Sequence, residues 1–480
     1  MRSKLQKFTE FAGSLLPHET EFLLHSQRFE DEVKLGILER VNDNSHRLRD
    51  GEIYDEEIDK RKYSHLKNWV VERLDAIDVD QQFNWMCEME KRIMTDNIDP
   101  AEEKVLLKKI REFSLPVFYF TKFYELVETY RHFLLIRLRY DDHRLVDEFL
   151  KDYQQAYQRS KQISEQIHTA TADIINQFAT TETGETRQWE DWLIDVFYDD
   201  TLDGLNRYLA LVRLTFLYLN YRKLDQLRDK YDYLDNQFRQ GQYYSKRLLL
   251  NYYHNRMLLH TKCREYDQAI YYGYLSIRQK NNDYLLYVNN LSGVLLRQRR
   301  VEDAMEVLRT ALPDMKSSKN YFNKIGYVSF YVHTLNLSGK ARSAENYAEA
   351  FLQAYRQEII KYRWHLFFSA YLQSLLMQEK YAKALRTIRK FKLLEREKRY
   401  RKHAGHLPII LWYQMICEYK EGMLTRQQLQ LRIQQQLRES AEDGDKQTNL
   451  KDLLREIRNY VPDILRGLEE NSISMLVAAG

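Results

Sequence analysis

A recurring alanine constrains this chain more than any other feature of it. It closes a polar turn and opens an apolar ladder in four segments, Tyr266-Asp-Gln-Ala-Ile, Val301-Glu-Asp-Ala-Met, Ala341-Arg-Ser-Ala-Glu and Tyr381-Ala-Lys-Ala-Leu. The four alanines, Ala269, Ala304, Ala344 and Ala384, follow one another after 35, 40 and 40 residues. A fixed period of this length marks a repeat architecture, in which each unit buries its apolar face only against its neighbours. A chain of 480 residues exceeds what one compact core usually holds, and a repeat escapes that limit by growing in one dimension.

The repeat unit is helical. The chain has 15 glycines and 6 prolines in 480 residues, well under the average usage of roughly 7% and 5%, so turns are few and helices long. Its 36 tyrosines and 21 phenylalanines suit the wedges between stacked helices, where rings fill gaps that aliphatic side chains leave. Acidic and basic residues nearly cancel, at a formal +4, which does not point to nucleic acid. Cys87, Cys263 and Cys417 lie far apart without ligand spacing, as expected of thiols in a reducing compartment. Neither a signal peptide nor a membrane span is expected, because charge interrupts both the first residues and the most apolar stretch, 115–138. A cytoplasmic protein is the expectation.

Residues 1–180 read as an N-terminal helical region. Tyr63, Leu66, Trp69, Val70, Leu74 and Ile77 line one face of a charged helix, and Phe83, Met86, Met89 and Ile93 line the next. Asp99-Pro100 is a helix start, with aspartate as cap and proline in the first turn. From Val117 to Leu138 a helix is apolar around most of its circumference and belongs inside a bundle. A long helix over 144–178 carries a heptad seam, Phe149, Tyr153, Ala156, Ser160, Ile163, Ile167, Ala170 and Ile174. That seam either packs on the 117–138 helix or makes a dimer. The run Thr180-Thr-Glu-Thr-Gly-Glu-Thr186 is a loop or linker and a candidate boundary.

Residues 188–440 then divide into about six helix pairs, from 209–221 with 224–238 to 409–419 with 426–437, and 441–480 supply a closing helix over 450–468 and a tail. This pattern resembles the tetratricopeptide repeat over roughly 205–440, through Leu291-Ser292 in a first helix, Tyr266 before Ala269, and Ala304 with Leu308 and Ala311 behind it. It departs from that family in repeats nearer 40 residues, in few glycines, and in Pro313 as the one good closing proline. The resemblance implies an all-α fold, an N-terminal bundle followed by a right-handed α-solenoid in which a small residue allows each helix pair to cross closely. It also implies that the first helix of each pair lines a concave groove. Asn251, His254, Asn289, Arg297, His333, Asn336 and Gln373 fall on that side, where they either bind a peptide through its amides and carboxylates or keep the face wet.

No HExxH, GxSxG, Walker loop or GxGxxG occurs in the sequence, so no catalytic residue, cofactor or metal is expected. His403-Ala-Gly-His406 lacks thiols or carboxylates in ligand register and reads as an exposed loop. The basic run 396–402, Arg-Glu-Lys-Arg-Tyr-Arg-Lys, is either a solvated helix end or a phosphate contact. The expected function is therefore a non-enzymatic scaffold or adaptor that binds a protein or peptide. A nucleic-acid-associated regulator using the 396–402 loop is the alternative, and an enzyme with a site between the two halves is the third.

Overall fold

The computed structural model describes residues 5–48, 51, 53–179, 186–400, 407–439, 450 and 453–462. Every regular element among them is a helix. The run 180–185, the histidines at 403 and 406, residues 401 and 402, and the tail beyond 462 lie outside the described residues. The chain divides into two compact units, Met1–Asn281 and Asn282–Gly480.

In the first unit, helices Val79–Met94, Pro100–Arg111, Phe120–Ile136 and Tyr140–Ala179 share one core built from Met86, Met89, Ile93, Leu106, Ile110, Phe123, Tyr130, Leu134 and Phe149. Local chemistry starts them where expected. The Asp99 carboxylate accepts the backbone N–H groups of Ala101 and Glu102 at 2.8 and 3.0 Å, with Pro100 in the first turn. The apolar helix runs Phe120–Ile136, starting three residues later than its pattern suggests, and its final residues Leu135 and Ile136 are exposed, as is Leu138 just beyond it.

The seam of Tyr140–Ala179 is covered within the unit: Phe149, Ser160, Ile167, Ala170 and Ile174 are all buried. Helices Phe120–Ile136 and Gly204–Tyr221 pack against it. The Asn206 side chain donates to the Ser160 backbone carbonyl at 2.9 Å, and the Ser160 hydroxyl bonds the Asp203 carboxylate, which accounts for a serine in the middle of the seam. Because Gly204–Tyr221 packs on Tyr140–Ala179, the change of composition at 180–186 does not coincide with the division between units.

Among the described residues, six helix pairs follow one local rule. A residue in the left-handed region ends the first helix of each pair: Arg222, Arg264, Arg299, Gly339, Glu379 and Gly422. The next backbone N–H then reaches back five residues, as from Lys340 to Leu335 at 2.9 Å and from Lys380 to Leu375 at 3.0 Å. This is the Schellman closure, which satisfies carbonyls that a helix end leaves free. Four of the six positions are not glycine, so the turn is invisible to a search for turn residues. Three residues into each second helix stands a fully buried side chain: Leu227, Ala269, Ala304, Ala344, Ala384 and Leu429. Leucine at the first and last of these positions is why only four of the pairs carry the alanine signal.

The left-handed backbone is strained wherever a Cβ is present. Glu379, at φ 56°, is exposed and has no side-chain hydrogen bond or ion pair among the described residues, so Glu379→Gly removes strain and no such contact. After the entropy that glycine restores to the unfolded chain, the variant gains about 0.5–1 kcal/mol. A rise in urea midpoint measures this, and an unchanged or lower midpoint would contradict the strain argument.

Candidate partner-binding surface

Within the second unit the first helices of successive pairs, Tyr284–Arg297, Tyr321–Leu337, Trp364–Leu376 and Ile409–Lys420, each pack on the next. The second helices Val301–Thr310, Ala341–Ala354 and Tyr381–Lys390 pack against the same layer. Two asparagines stitch it together in the same way. Asn289 donates its amide to the Asn323 carbonyl at 2.9 Å, and Asn336 donates to the Ala370 carbonyl at 2.9 Å, in each case 34 residues along the chain. Both are fully buried.

His333, Asn336 and Gln373 meet in one cluster. Gln373 Oε1 accepts from Asn336 Nδ2 at 3.0 Å and from His333 Nδ1 at 2.7 Å. An amide oxygen only accepts, so this contact holds the His333 proton on Nδ1. The Gln373 amide passes the chain on to Glu456 Oε1 at 2.8 Å, which also accepts the Tyr413 hydroxyl at 2.5 Å. Gln373 is buried and His333 half-buried.

The remaining candidates are placed differently. Arg297 ends its helix and is exposed. Asn251 and His254 belong to the first unit, on Lys246–Lys262. Asn251 Oδ1 accepts from the Tyr208 hydroxyl at 2.7 Å and from Asn255 at 3.0 Å. His254 is 4% exposed, and burial, partly opposed by a hydrogen bond with Asn255, lowers its pKa to about 4. It is therefore a neutral core side chain at physiological pH.

Sequence reasoning did not single out three residues of this layer. Glu456 and Tyr413 complete the Gln373 cluster, and Arg363 lies beside Asn289. A Cβ on Gly326 would stand 2.6 Å from Arg363 Nη1 and 2.9 Å from Asn289 Nδ2, so glycine in mid-helix is what lets the guanidinium approach. Arg363 also covers the Phe322 ring at 3.7 Å. Glycine costs about 1 kcal/mol in a helix interior, and that cost was the available signal.

The basic segment is a helix rather than a loop as far as Tyr400, within Leu393–Tyr400. Its Glu397 is buried and turned inward. The carboxylate accepts the N–H groups of Ile410 and Leu411 at 3.1 and 2.8 Å, capping the next helix, and meets His365 Nε2 at 3.1 Å. Lys398 and Arg399 are exposed.

Among the described residues, no group of three or more histidine, cysteine, aspartate or glutamate side chains is arranged to hold a metal ion, and no helix is long and apolar enough to cross a membrane. No protein-family model, curated protein or solved structure matches this chain.

Proposed function

We propose that this protein is a non-enzymatic interaction scaffold, built as a right-handed α-solenoid of the tetratricopeptide type, whose inner helices bind a protein segment. The observation that carries this reading is the layer of successive first helices in the second unit, held together by the buried Asn289, Asn336 and Gln373, beside which His333 stays half-buried and Arg297 exposed. Buried amides are costly in a helical layer that Leu or Ala would fill more cheaply. The Asn289 and Asn336 Oδ1 atoms have no hydrogen-bond partner among the described residues, and each such atom costs about 1–3 kcal/mol. Arg297, exposed at the end of its helix, adds a cation for an acidic group of the same partner.

Affinity capture from the native cell tests this reading, with the wild-type chain beside the double variant Arg297→Glu/His333→Ala. These two side chains are exposed or half-buried, so the fold tolerates their loss better than that of Asn289. The expected result is at least a ten-fold loss of specific partners at unchanged thermal stability. Identical retention by both chains would sink the assignment to this layer.

A further inference from the structure

Residues 450 and 453–462 carry a stripe of apolar side chains, Leu450, Leu453, Ile457 and Val461, all less than 5% exposed. Their spacing of three, four and four residues is one face of a helix. Backbone bonds from Arg458 to Leu454 and from Val461 to Ile457 continue the helical path. Glu456 stands between the apolar positions, and its carboxylate takes both the Gln373 amide and the Tyr413 hydroxyl. Tyr460 follows, with Tyr381 and Cys417 among its neighbours. An amphipathic segment is thus seated on Trp364–Leu376 and Ile409–Lys420, with its Glu456 carboxylate bonded to the same glutamine that binds His333 and Asn336.

A segment helical over residues 453–457 and turned over 458–460 has no stability of its own in water, so it is ordered by what it docks on. Contacts of that kind open at lower free energy than the helices beneath them. We propose that segment 453–461 is an intramolecular ligand of the inner helix layer, and that the partner displacing it is an amphipathic helix of the same chemistry. Such a partner has apolar side chains at i, i+3, i+7 and i+11, with a carboxylate at i+6 for Gln373 and Tyr413. This rests on the scaffold reading and specifies its ligand: a helix laid in a groove, not an extended strand. Because a ligand held in cis competes at high effective concentration, the intact chain is closed to weak helices and opens to tight ones.

The test uses the full chain and a fluorescein-labelled synthetic peptide with the sequence of residues 448–464. Leu453→Asp/Ile457→Asp in the chain releases the internal segment. The released chain is expected to bind the peptide at least ten-fold more tightly than wild type, and a peptide carrying Glu456→Lys is expected to lose at least ten-fold. Hydrogen exchange on the wild-type chain supplies a second measurement that needs no variant. Amides of 453–461 should exchange at least ten-fold faster than those of Trp364–Leu376 and Ile409–Lys420, and addition of free peptide should speed their exchange further. A folded released chain that takes up no peptide overturns the proposal. So does exchange of 453–461 only together with the helices beneath it, which is the behaviour of a permanent cap. If the peptide arm fails while the Arg297→Glu/His333→Ala variant still loses partners, the internal ligand is wrong and the scaffold reading survives. If that variant loses none, the scaffold reading fails on its own test.

Discussion

Replacing Glu19 by alanine lowers the stability of the unit Met1–Asn281 by about 3 kcal/mol, a large fraction of what holds a domain folded. Glu19 is 1% exposed, in the first turn of helix Pro17–Ser26. Its Oε2 accepts the Leu16 N–H at 2.8 Å and its Oε1 accepts the Tyr244 hydroxyl at 2.5 Å, from a position 225 residues further along. Lys246 Nζ lies 3.6 Å from the same oxygen. Alanine would leave a buried hydroxyl and a helix N-terminal N–H without an acceptor, and would leave the Lys246 charge without its nearest carboxylate. Glu19→Gln keeps an acceptor and should cost about 1 kcal/mol. In a cycle with Tyr244→Phe, the two substitutions should be non-additive by at least about 1 kcal/mol. Additive losses in urea unfolding would remove the Tyr244 hydrogen bond from what Glu19 contributes.

Acid weakens the same unit through His254. Its folded pKa of about 4 lies below the ordinary value of 6.5, so the folded state binds fewer protons than the unfolded chain between those two limits. Stability is therefore full above pH 6.5 and is lost as pH falls from 6.5 to 4, by about 3 kcal/mol in all. Asp235 acts in a different window. Burial pushes its carboxyl up, but the His18 hydrogen bond and charge, the Tyr252 hydroxyl and Arg239 together hold it at about 2. Its contribution is present above the ordinary carboxylate value and is lost as pH falls from there towards 2. Urea midpoints at pH 7, 5.5 and 4.5 should fall in the wild type and change much less in His254→Asn, whatever the variant loses in absolute stability. Parallel slopes for the two chains would refute the burial of a neutral imidazole.

The helices themselves were legible because their signals are short-range. Tyr63, Leu66, Val70 and Leu74 recur on one face of Lys60–Ile77, and all four are buried. Asp99-Pro100 announces a start that the Asp99 carboxylate then makes. The alanines at 269, 304, 344 and 384 mark positions that are all fully buried. The terminal pairs were harder to read because Leu227 and Leu429 stand in place of alanine. Four of the six turns were hidden as well, since Arg222, Arg264, Arg299 and Glu379 adopt a backbone region in which glycine is expected. Backbone hydrogen bonds hold these residues left-handed, and such bonds leave no trace in residue type.

The candidate site was legible only in part. Position along the repeat brought out His333, Asn336 and Gln373, which do meet, but it said nothing of exposure. Asn289 and Asn336 are fully buried, whereas Arg297 is exposed at a helix end. Polar residue type at a given register does not tell whether a side chain faces solvent or the carbonyl of the next helix.

The sequence by itself thus determined an all-helical chain, its helix pairs and the small buried residue at the crossing, because periodicity and capping act over a few residues. Tertiary structure decided the rest: that helix Pro17–Ser26 is tied to Asp235, Tyr244 and Tyr253, and that Glu456 lies against Gln373 and Tyr413. These partners are 43 to 235 residues apart. A hydrogen bond across such a distance depends on where packing brings two backbones, and no local pattern in either segment encodes it.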